Sequence, residues 1–379
     1  MQYRPFGKIA DRVSALGFGC MRIPGEKTED GWHFDEDLAV RMIRHAIDSG
    51  VNYVDTAYTY SDSQNERIVG KALADGYRDR VMLTTKLPHW ACESADDFSR
   101  IFEEQLARLG TDHLDVYLLH ALSGETWNKM RDLGAIPFME KLKAEGRIRH
   151  IGFSFHGTYD ELVRILDEYP HFEVVQLQFN YLDVEEQAGE RGVRLCGERG
   201  IPVIVMEGLR GGNLAKVPAN VQSVFDNRQI KRSPAEWAFR FLADYPEIAT
   251  VLSGMTSVEM VDDNVRIFSG ATVGCLSDDE KTMMASARAA YQSRIPIGCT
   301  GCHYCKDCPA GIAIPSIFSL WSHCVMFDVR EDGIKSYKKR IEEGTDASQC
   351  IGCHACEEIC PQNIMVADRL READAYLRG

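Results

Sequence analysis

Short apolar runs alternate along most of the chain with longer stretches whose apolar residues recur at helical spacing. The runs have the length and residue types of β-strands and lie at positions 51–54, 81–85, 114–119, 148–153, 174–178, 203–206 and 249–252. The stretches between them predict amphipathic helices, for example at 35–49, 96–109, 159–168, 185–199 and 233–243. Strands that alternate with helices in this way are typical of a parallel sheet with crossover helices.

The segment before this alternation, residues 3–23, predicts an N-terminal β-ribbon or a first strand. Within it, residues 13–16 are predicted to be extended and Gly17-Phe18-Gly19 to form a turn. With this segment counted, the chain has about eight β/α units over roughly 270 residues, the size of a closed (β/α)8 TIM barrel. The alternative is a doubly wound open sheet, which would carry a further glycine in the fingerprint after its first strand. Because that glycine is missing, we predict an α/β protein built on a TIM barrel.

The pattern changes after residue 288, where strand-like runs end and cysteines become frequent. Residues 314–327 and 332–343 predict helices, so this region resembles a small, mostly α-helical, ferredoxin-like domain. We therefore expect residues 1–290 to form the barrel and residues 291–379 to form the second domain. No internal repeat is expected beyond the β/α alternation.

Charge and hydropathy narrow the range of partners. The chain has 379 residues, of which 45% are apolar, enough for one large core and a smaller unit. Its net charge of −14 argues against nucleic acid, because phosphate binding needs basic patches. No apolar run is long enough to span a bilayer, so no membrane association is expected. Most of the 13 cysteines lie in two short runs, a pattern that fits metal binding in a reducing cytoplasm better than disulfides.

Four polar residues fall at or just after three successive predicted strands. Asp55 and Tyr60 follow the first of these strands, Lys86 ends the second and His120 ends the third. In a parallel barrel these strand ends meet at one face, where the chemistry takes place. We expect Tyr60 to donate a proton to a carbonyl oxygen while a hydride reaches the carbon. Lys86, held by Asp55, would lower the pKa of the phenol, and His120 would orient the carbonyl.

Longer motifs surround these residues: Leu16-Gly17-Phe18-Gly19, Asp55-Thr56-Ala57-Tyr58-Thr59-Tyr60, Thr85-Lys86, Leu118-Leu119-His120, Ile151-Gly152-Phe153-Ser154 and Val175-Gln176-Leu177-Gln178-Phe179-Asn180-Tyr181-Leu182-Asp183. Over residues 1 to about 290 the chain resembles the aldo-keto reductases, and the catalytic tetrad of that family is complete. The resemblance implies that NAD(P)H binds extended across the strand ends, without a Rossmann fold. It also implies that an aldehyde or a ketone is reduced, or an alcohol oxidised.

The same resemblance implies a set of nicotinamide contacts. Ser154 and Gln176 would hydrogen-bond the carboxamide, and Phe179 would offer a ring face for stacking. The family's Asn that helps to fix the carboxamide is replaced here by Phe155. The remaining contacts implied are Cys20 and Met21 after the first strand, Leu209 and Gly211 in a glycine-containing loop at the pyrophosphate, and Met255, Thr256, Asp263 and Asn264 at the adenosine end.

The choice between NADH and NADPH stays open. NADP-selective members of the family place a Lys and an Arg at the adenosine end for the 2′-phosphate. This chain has neither at those positions and carries Glu259, Asp262 and Asp263 nearby. Carboxylates repel a phosphate and accept hydrogen bonds from a ribose hydroxyl, although Arg210 or Arg266 would compensate for them.

Two cysteine runs end in Cys-Pro: Cys299, Cys302, Cys305 and Cys308, then Cys350, Cys353, Cys356 and Cys360. The second run has the bacterial ferredoxin spacing, and the first is one residue shorter before its fourth Cys. In two-cluster ferredoxins the fourth Cys of a run binds the other cluster. We therefore predict two [4Fe–4S] clusters, one on Cys299, Cys302, Cys305 and Cys360, the other on Cys350, Cys353, Cys356 and Cys308. Zinc is the alternative, but paired CxxC knuckles would suffice for it.

The whole chain thus resembles the ferredoxin-fused branch of the aldo-keto reductases, and three functions are open. The first is hydride transfer to a small carbonyl compound, or from an alcohol, with structural or regulatory clusters. The second is a reductase that receives single electrons through its clusters from a ferredoxin or another redox protein. The third is a non-enzymatic redox-sensing or binding subunit, against which the complete tetrad argues. We favour the first, with a substrate pocket shaped by loops around Trp90 and Trp127.

Overall fold

The computed structural model describes residues 1–28 and 31–379, and for Ala10 the backbone alone. The chain divides into two compact units, Met1–Ala215 with Ser233–Lys281 and Lys216–Arg232 with Thr282–Gly379. The second unit thus includes a segment that interrupts the first in sequence. The domain boundary expected at residue 290 stays a prediction.

The first unit is built on a closed barrel of eight parallel strands that follow one another in chain order, so that the last lies beside the first. The barrel strands are β3 (Leu16–Gly19), β6 (Tyr53–Asp55), β7 (Met82–Pro88), β8 (Leu114–Leu122), β9 (Ile148–Phe155), β10 (Val174–Gln178), β11 (Val203–Met206) and β12 (Ile248–Ser253). Two antiparallel hairpins lie outside the barrel, β1 (Tyr3–Phe6) with β2 (Ile9–Ser14) and β4 (Gly25–Thr28) with β5 (Gly31–Phe34). The predicted TIM barrel is therefore confirmed.

Helices connect the barrel strands and continue through the second unit. They are α1 (Glu36–Asp48), α2 (Tyr60–Ser63), α3 (Asn65–Leu73), α4 (Ala95–Leu109), α5 (Gly124–Asp132), α6 (Ala135–Ala144), α7 (Tyr159–Glu168), α8 (Gly189–Glu198), α9 (Ala219–Asp226), α10 (Pro234–Ala243), α11 (Val258–Gly270), α12 (Asp278–Gln292), α13 (Ile314–Phe327), α14 (Arg330–Glu342), α15 (Ala355–Glu358) and α16 (Val366–Arg378). No helix in the described ranges is long and apolar enough to cross a membrane.

The first barrel strand differs from the sequence-based expectation, because Gly17-Phe18-Gly19 belongs to β3 and is not a turn. Close packing against the neighbouring strand explains Gly17. A Cβ atom on Gly17 would lie 2.9 Å from Leu252 Cδ2 and 3.0 Å from Thr250 Oγ1. A larger residue would force these side chains to shift, so glycine at this position lets β3 lie close to β12.

The second unit has its own hydrophobic core, formed mainly by α13, α14 and α16. Ile317, Phe318, Trp321, Tyr337 and Leu370 are buried in this core, and five of the eight run cysteines pack against it. The helix predicted at 314–327 is confirmed, and the one predicted at 332–343 starts two residues earlier. The C-terminal helix α16 was not predicted. The small, mostly helical ferredoxin-like domain is confirmed.

Candidate functional site

A buried ion pair lies at the carboxyl ends of β6 and β7. Lys86 Nζ donates hydrogen bonds to Asp55 Oδ1 at 2.7 Å and to the carbonyl oxygen of Thr56 at 2.8 Å. The side chains of Lys86 and Asp55 are 0% and 3% exposed. Lys86 Nζ also lies 3.5 Å from the hydroxyl oxygen of Tyr60. Asp55 and Thr56 therefore fix the ammonium group beside the phenol.

The environment of Tyr60 keeps its phenol protonated. Burial raises the pKa of Tyr60, while the positive charge of Lys86 acts in the opposite direction and reduces the shift. The sequence-based reasoning considered the charge of Lys86 alone, and in the structure burial outweighs it. A protonated phenol next to a fixed cation can donate a proton, and the cation then stabilises the phenolate that remains.

His120 lies on β8, next to two aromatic rings. Its ring centroid is 5.9 Å from that of Tyr60 and 4.8 Å from that of Trp90. Its buried Nδ1 atom has no hydrogen-bond partner among the described residues. Burial lowers the pKa of His120 to about 2, and the charge of Lys86 adds to the shift. The imidazole is therefore neutral, with one N–H donor and one acceptor nitrogen in its ring.

Left-handed backbone residues lie next to Tyr60, next to His120 and directly after β11. The φ angles are +52° at Ser61 after Tyr60, +54° at Ala121 after His120 and +59° at Glu207 after β11. For residues other than glycine this conformation costs about 1–3 kcal/mol each. Such strain persists only where the surrounding structure holds the backbone in place.

A buried carboxylate behind Lys86 was not predicted from the sequence. Glu66 Oε1 accepts hydrogen bonds from Thr85 Oγ1 at 2.7 Å and from Gln105 Nε2 at 2.9 Å. Gln105 Nε2 also donates to the main-chain oxygen of Lys86 at 3.0 Å, and Arg108 approaches Glu66 Oε2 at 3.3 Å. These contacts hold the backbone of β7 where it carries Lys86. In the sequence Glu66 is indistinguishable from a solvent-exposed helix residue, so the pattern gave no signal.

Two polar side chains on β9 and β10 suit a carboxamide. Ser154 Oγ accepts a hydrogen bond from the Ala121 N–H at 2.7 Å, which leaves its own proton to donate. Gln176 Nε2 contacts Met206 Sδ at 3.4 Å. The buried Oε1 atom of Gln176 has no partner in the described part of the chain. One donor and one open amide group at adjacent strand ends fit the carboxamide of a nicotinamide.

Phe179 does not occupy the position expected of a stacking ring. It is fully buried, and its ring packs against Phe241 and Tyr245 at centroid distances of 5.7 Å and 5.3 Å. The chain leaves β10 with this side chain in an aromatic layer, so no ring face is exposed, and the stacking expectation is corrected. The side chain that lies beside Gln176 is that of the half-buried Met206.

Four of the eight run cysteines lie together, because Cys299, Cys302, Cys305 and Cys360 line one pocket. Burial raises the pKa of Cys356 to about 11, and the charges of Glu357, Cys305 and Cys308 add to this shift. Cys360 therefore lies with the first run, as the ferredoxin pattern predicts, and the place of Cys308 in the second group stays a prediction.

The two cysteine runs also repeat each other in sequence and backbone, although no such repeat was expected. Both read Cys-x-Gly-Cys-His-x-Cys. The glycines Gly301 and Gly352 both have φ of +67°, and the histidines His303 and His354 have φ of +60° and +59°. Two left-handed residues in each run therefore bend the chain in the same way between its first and third cysteines.

A model of the Aldo/keto reductase family matches residues 15–284, more than two thirds of the chain. The chain belongs to the aldo/keto reductase family. A second model, that of a 4Fe-4S dicluster domain, matches residues 298–365. The resemblance to the ferredoxin-fused branch is confirmed by these two matches together.

Several relatives support the assignment. The chain is 26% identical to the probable aldo-keto reductase 1 of Glycine max over 290 residues, which cover 67% of this chain and 80% of the relative. The structure of the aldo-keto reductase AKR11C1 from Bacillus halodurans, in its holo form, matches with a TM-score of 0.63 at 27% identity and covers 76% of this chain and 96% of its own. The structure of an aldo-keto reductase from Klebsiella pneumoniae in complex with NADPH matches with a TM-score of 0.58 at 26% identity, over 76% of this chain and 95% of its own.

In this aldo/keto reductase the other predicted nucleotide contacts lie after the ends of β3, β11 and β12. Cys20 and Met255 are buried, Leu209 and Asp263 are half-buried, Met21, Gly211 and Thr256 are exposed, and the buried Asn264 donates to Ser253 Oγ at 2.9 Å. The two arginines considered for a 2′-phosphate both form ion pairs with carboxylates of this chain. Arg210 pairs with Asp183 at 2.9 Å, and Arg266 pairs with Asp263 at 2.7 Å.

The tryptophans expected at the substrate pocket differ in position. Trp90 is exposed next to His120 and suits a substrate contact. Trp127 is buried in α5 and donates from its indole nitrogen to Glu168 at 2.7 Å, so it contributes to packing. His156 follows β9, and its positive charge, when it is protonated, would lower the pKa of His120. The sequence-based reasoning did not identify His156.

Proposed function

We propose that this aldo/keto reductase uses a nicotinamide dinucleotide to reduce a small aldehyde or ketone, or to oxidise the corresponding alcohol. The observation that carries the proposal is the Lys86 ammonium group, fixed by Asp55 and lying 3.5 Å from the Tyr60 hydroxyl oxygen. An ion pair that only stabilised the fold would not require a partly exposed phenol next to its ammonium group. A proton donor does, because the cation stabilises the phenolate that forms.

In the reductive direction Tyr60 would donate its proton to the carbonyl oxygen. Lys86 would stabilise the resulting phenolate, and Asp55 would keep the ammonium group in place. The neutral imidazole of His120 would hydrogen-bond the same carbonyl oxygen and orient the carbonyl group. The nicotinamide, when bound, would supply the hydride for the carbonyl carbon. Ser154 and Gln176 would hold its carboxamide.

The dinucleotide would be NADH or NADPH. The relative from Klebsiella pneumoniae was solved in complex with NADPH, which supports NADPH. Glu259 and Asp262 are exposed on α11 and would repel a 2′-phosphate, which supports NADH. We leave both within the proposal.

For residues 291–379 we propose a ferredoxin-like domain with two [4Fe–4S] clusters. Cys299, Cys302, Cys305 and Cys360 would hold one cluster, and Cys350, Cys353, Cys356 and Cys308 the other. The clusters would supply single-electron chemistry, in exchange with a ferredoxin or another redox protein. Because free thiols and such clusters persist under reducing conditions, we propose the cytoplasm as the compartment.

Removing the Tyr60 hydroxyl tests the hydride-transfer proposal. In Tyr60→Phe we expect kcat for carbonyl reduction to fall roughly 10²–10⁴-fold, while nucleotide affinity stays within about twofold. Tyr77→Phe is the matched control, since the Tyr77 hydroxyl bonds Asp48 on the surface. Both variants would be assayed anaerobically against a panel of aldehydes and ketones. Full activity in Tyr60→Phe would refute the role of Tyr60.

A second candidate is a reductase that receives electrons through its clusters, favoured by the match to a 4Fe-4S dicluster domain. An anaerobic titration with NADH and then NADPH separates the two candidates. Nucleotide binding without bleaching of the cluster absorbance supports hydride transfer. If neither nucleotide binds but a reduced ferredoxin supports turnover, the second candidate is correct. If neither donor supports turnover, the chain is a binding or sensing subunit.

A further inference from the structure

An arginine that the sequence analysis did not single out lies across the strand ends where a dinucleotide would bind. Arg22 follows β3, and its Nη1 atom donates a hydrogen bond to the carbonyl oxygen of Gly211 at 2.6 Å. Gly211 belongs to the loop at residues 207–214, after β11. The side chain is exposed, so it reaches this loop from the surface and not from the core.

Glycines make room for Arg22 at both ends of its side chain. A Cβ atom on Gly254 would lie 3.3 Å from Arg22 Cβ, and a Cβ atom on Gly211 would lie 2.8 Å from Arg22 Nη2. Gly254 follows β12, so the arginine spans the ends of three neighbouring strands, β11, β12 and β3. Gly211 has a φ of +66°, a conformation that glycine adopts without strain.

The charge of Arg22 is available to an anion. No carboxylate in the described ranges forms an ion pair with it, whereas Arg210 pairs with Asp183 and Arg266 pairs with Glu236. A guanidinium group has five N–H donors in a planar fork, and the bond to Gly211 uses one of them. The remaining donors have the geometry that binds two phosphate oxygens at once.

We propose that Arg22 binds the pyrophosphate of the nicotinamide dinucleotide and holds it next to the loop at residues 207–214. The proposal rests on the proposed function, since it requires that the barrel binds such a nucleotide. The N–H groups of Gly212, Asn213 and Leu214 already donate to carbonyl oxygens within the loop, so Arg22 supplies the side-chain donors and the positive charge at this edge. Because NADH and NADPH share the pyrophosphate, Arg22 contributes equally to both.

The test compares Arg22→Met, Arg22→Lys and the control Arg41→Met, in which an exposed arginine on α1 is replaced. Dissociation constants for NADH, NADPH and ADP-ribose would be measured anaerobically on the full, cluster-loaded chain. We expect Arg22→Met to weaken all three ligands by a similar factor, roughly tenfold to hundredfold, because a charged hydrogen-bonding group is lost. Arg22→Lys should show a smaller loss, because it keeps the charge without the fork.

The salt dependence separates direct contact from a role in shaping the loop. If Arg22 touches the pyrophosphate, the deficit of Arg22→Met for ADP-ribose shrinks as ionic strength rises, because salt screens the wild-type attraction. A deficit that is constant with salt would assign Arg22 to loop structure and overturn the proposal.

The identity of the ligand group is tested separately. A loss confined to NADPH would place Arg22 at the 2′-phosphate, and unchanged affinities would remove it from the site, so either result overturns the proposal. If wild-type protein binds none of the three ligands, the nicotinamide function itself fails. That outcome is distinguishable from a failure of the Arg22 proposal, because it is seen in the wild-type protein alone.

Discussion

Replacing Lys86 by methionine breaks the buried ion pair on which the candidate mechanism depends. Methionine keeps the length of the side chain and removes the charge, so Asp55 is left buried opposite an apolar group. One oxygen of Asp55 already lacks a hydrogen-bond partner among the described residues, and the variant takes the Lys86 bond from the other. Removing one partner of a buried pair costs about 3–5 kcal/mol, so we expect Lys86→Met to be destabilised by that amount.

The double variant Asp55→Asn/Lys86→Met checks that the cost comes from an unpaired charge. With both charges removed, no charged group is left buried without a partner. Replacing a whole buried ion pair by uncharged residues often changes the stability little. We therefore expect the double variant to be more stable than Lys86→Met, although it carries one more substitution. Both variants should be inactive, since neither holds a cation beside Tyr60. A double variant that is no more stable than Lys86→Met would refute the reasoning.

The pH dependence gives the reasoning an independent check. In the wild type, burial raises the pKa of Asp55 and the Lys86 charge opposes this shift. Without Lys86 the pKa of Asp55 rises further, so the folded protein binds a proton that the unfolded chain releases. Stability of Lys86→Met should therefore recover as the pH falls towards that raised pKa, and its deficit should be smaller at pH 5 than at pH 8.

Stability in these variants would be measured as the shift in the urea midpoint of the far-UV circular dichroism transition. The experiment uses the full, cluster-loaded chain under anaerobic conditions. Comparison of midpoints between variants is preferred to absolute free energies, because a protein with two units and bound clusters need not unfold in a two-state manner. A deficit of Lys86→Met that does not change with pH would contradict the assignment of its cost to Asp55.

Three further predictions concern other parts of the chain. Because burial lowers the pKa of His120 to about 2, the pH profile of kcat should show no inflection from this residue between pH 5 and 8. An inflection in the wild type that is absent in His120→Gln would contradict this. Arg378→Ala removes the partner of the buried Asp346, so cluster absorbance should decay faster in a chelator than in wild type or in the same-helix control Arg371→Ala. Glu66→Ala should lower the stability by about 1–3 kcal/mol for each hydrogen-bonding group left unpaired, and it should also lower kcat. Glu66→Gln should recover part of both losses, as measured by urea unfolding and steady-state rates.

The barrel could be predicted because its strands are buried on both faces and therefore form continuous apolar runs. The strand predicted at 174–178 and the helix predicted at 159–168 match the structure to the residue. The β3 strand was harder, because Gly17-Phe18-Gly19 has the composition of a turn, while Gly17 is needed for close packing against β12. The C-terminal helix α16 was missed, although its apolar positions are part of the core of the second unit.

Predictability of the site depends on whether a residue's role is set by its own chemistry or by its neighbours. Lys86 and Asp55 are recognisable because strand ends converge on one face whatever the loops do. Phe179 was assigned from its aromatic character, but the direction in which the chain leaves β10 decides whether a ring faces a ligand or a helix. Arg22 gave no signal for the same reason, since its reach across three strand ends depends on glycines more than 180 residues away in sequence. Contacts of this kind arise only when the barrel closes, so they have to be read from the structure.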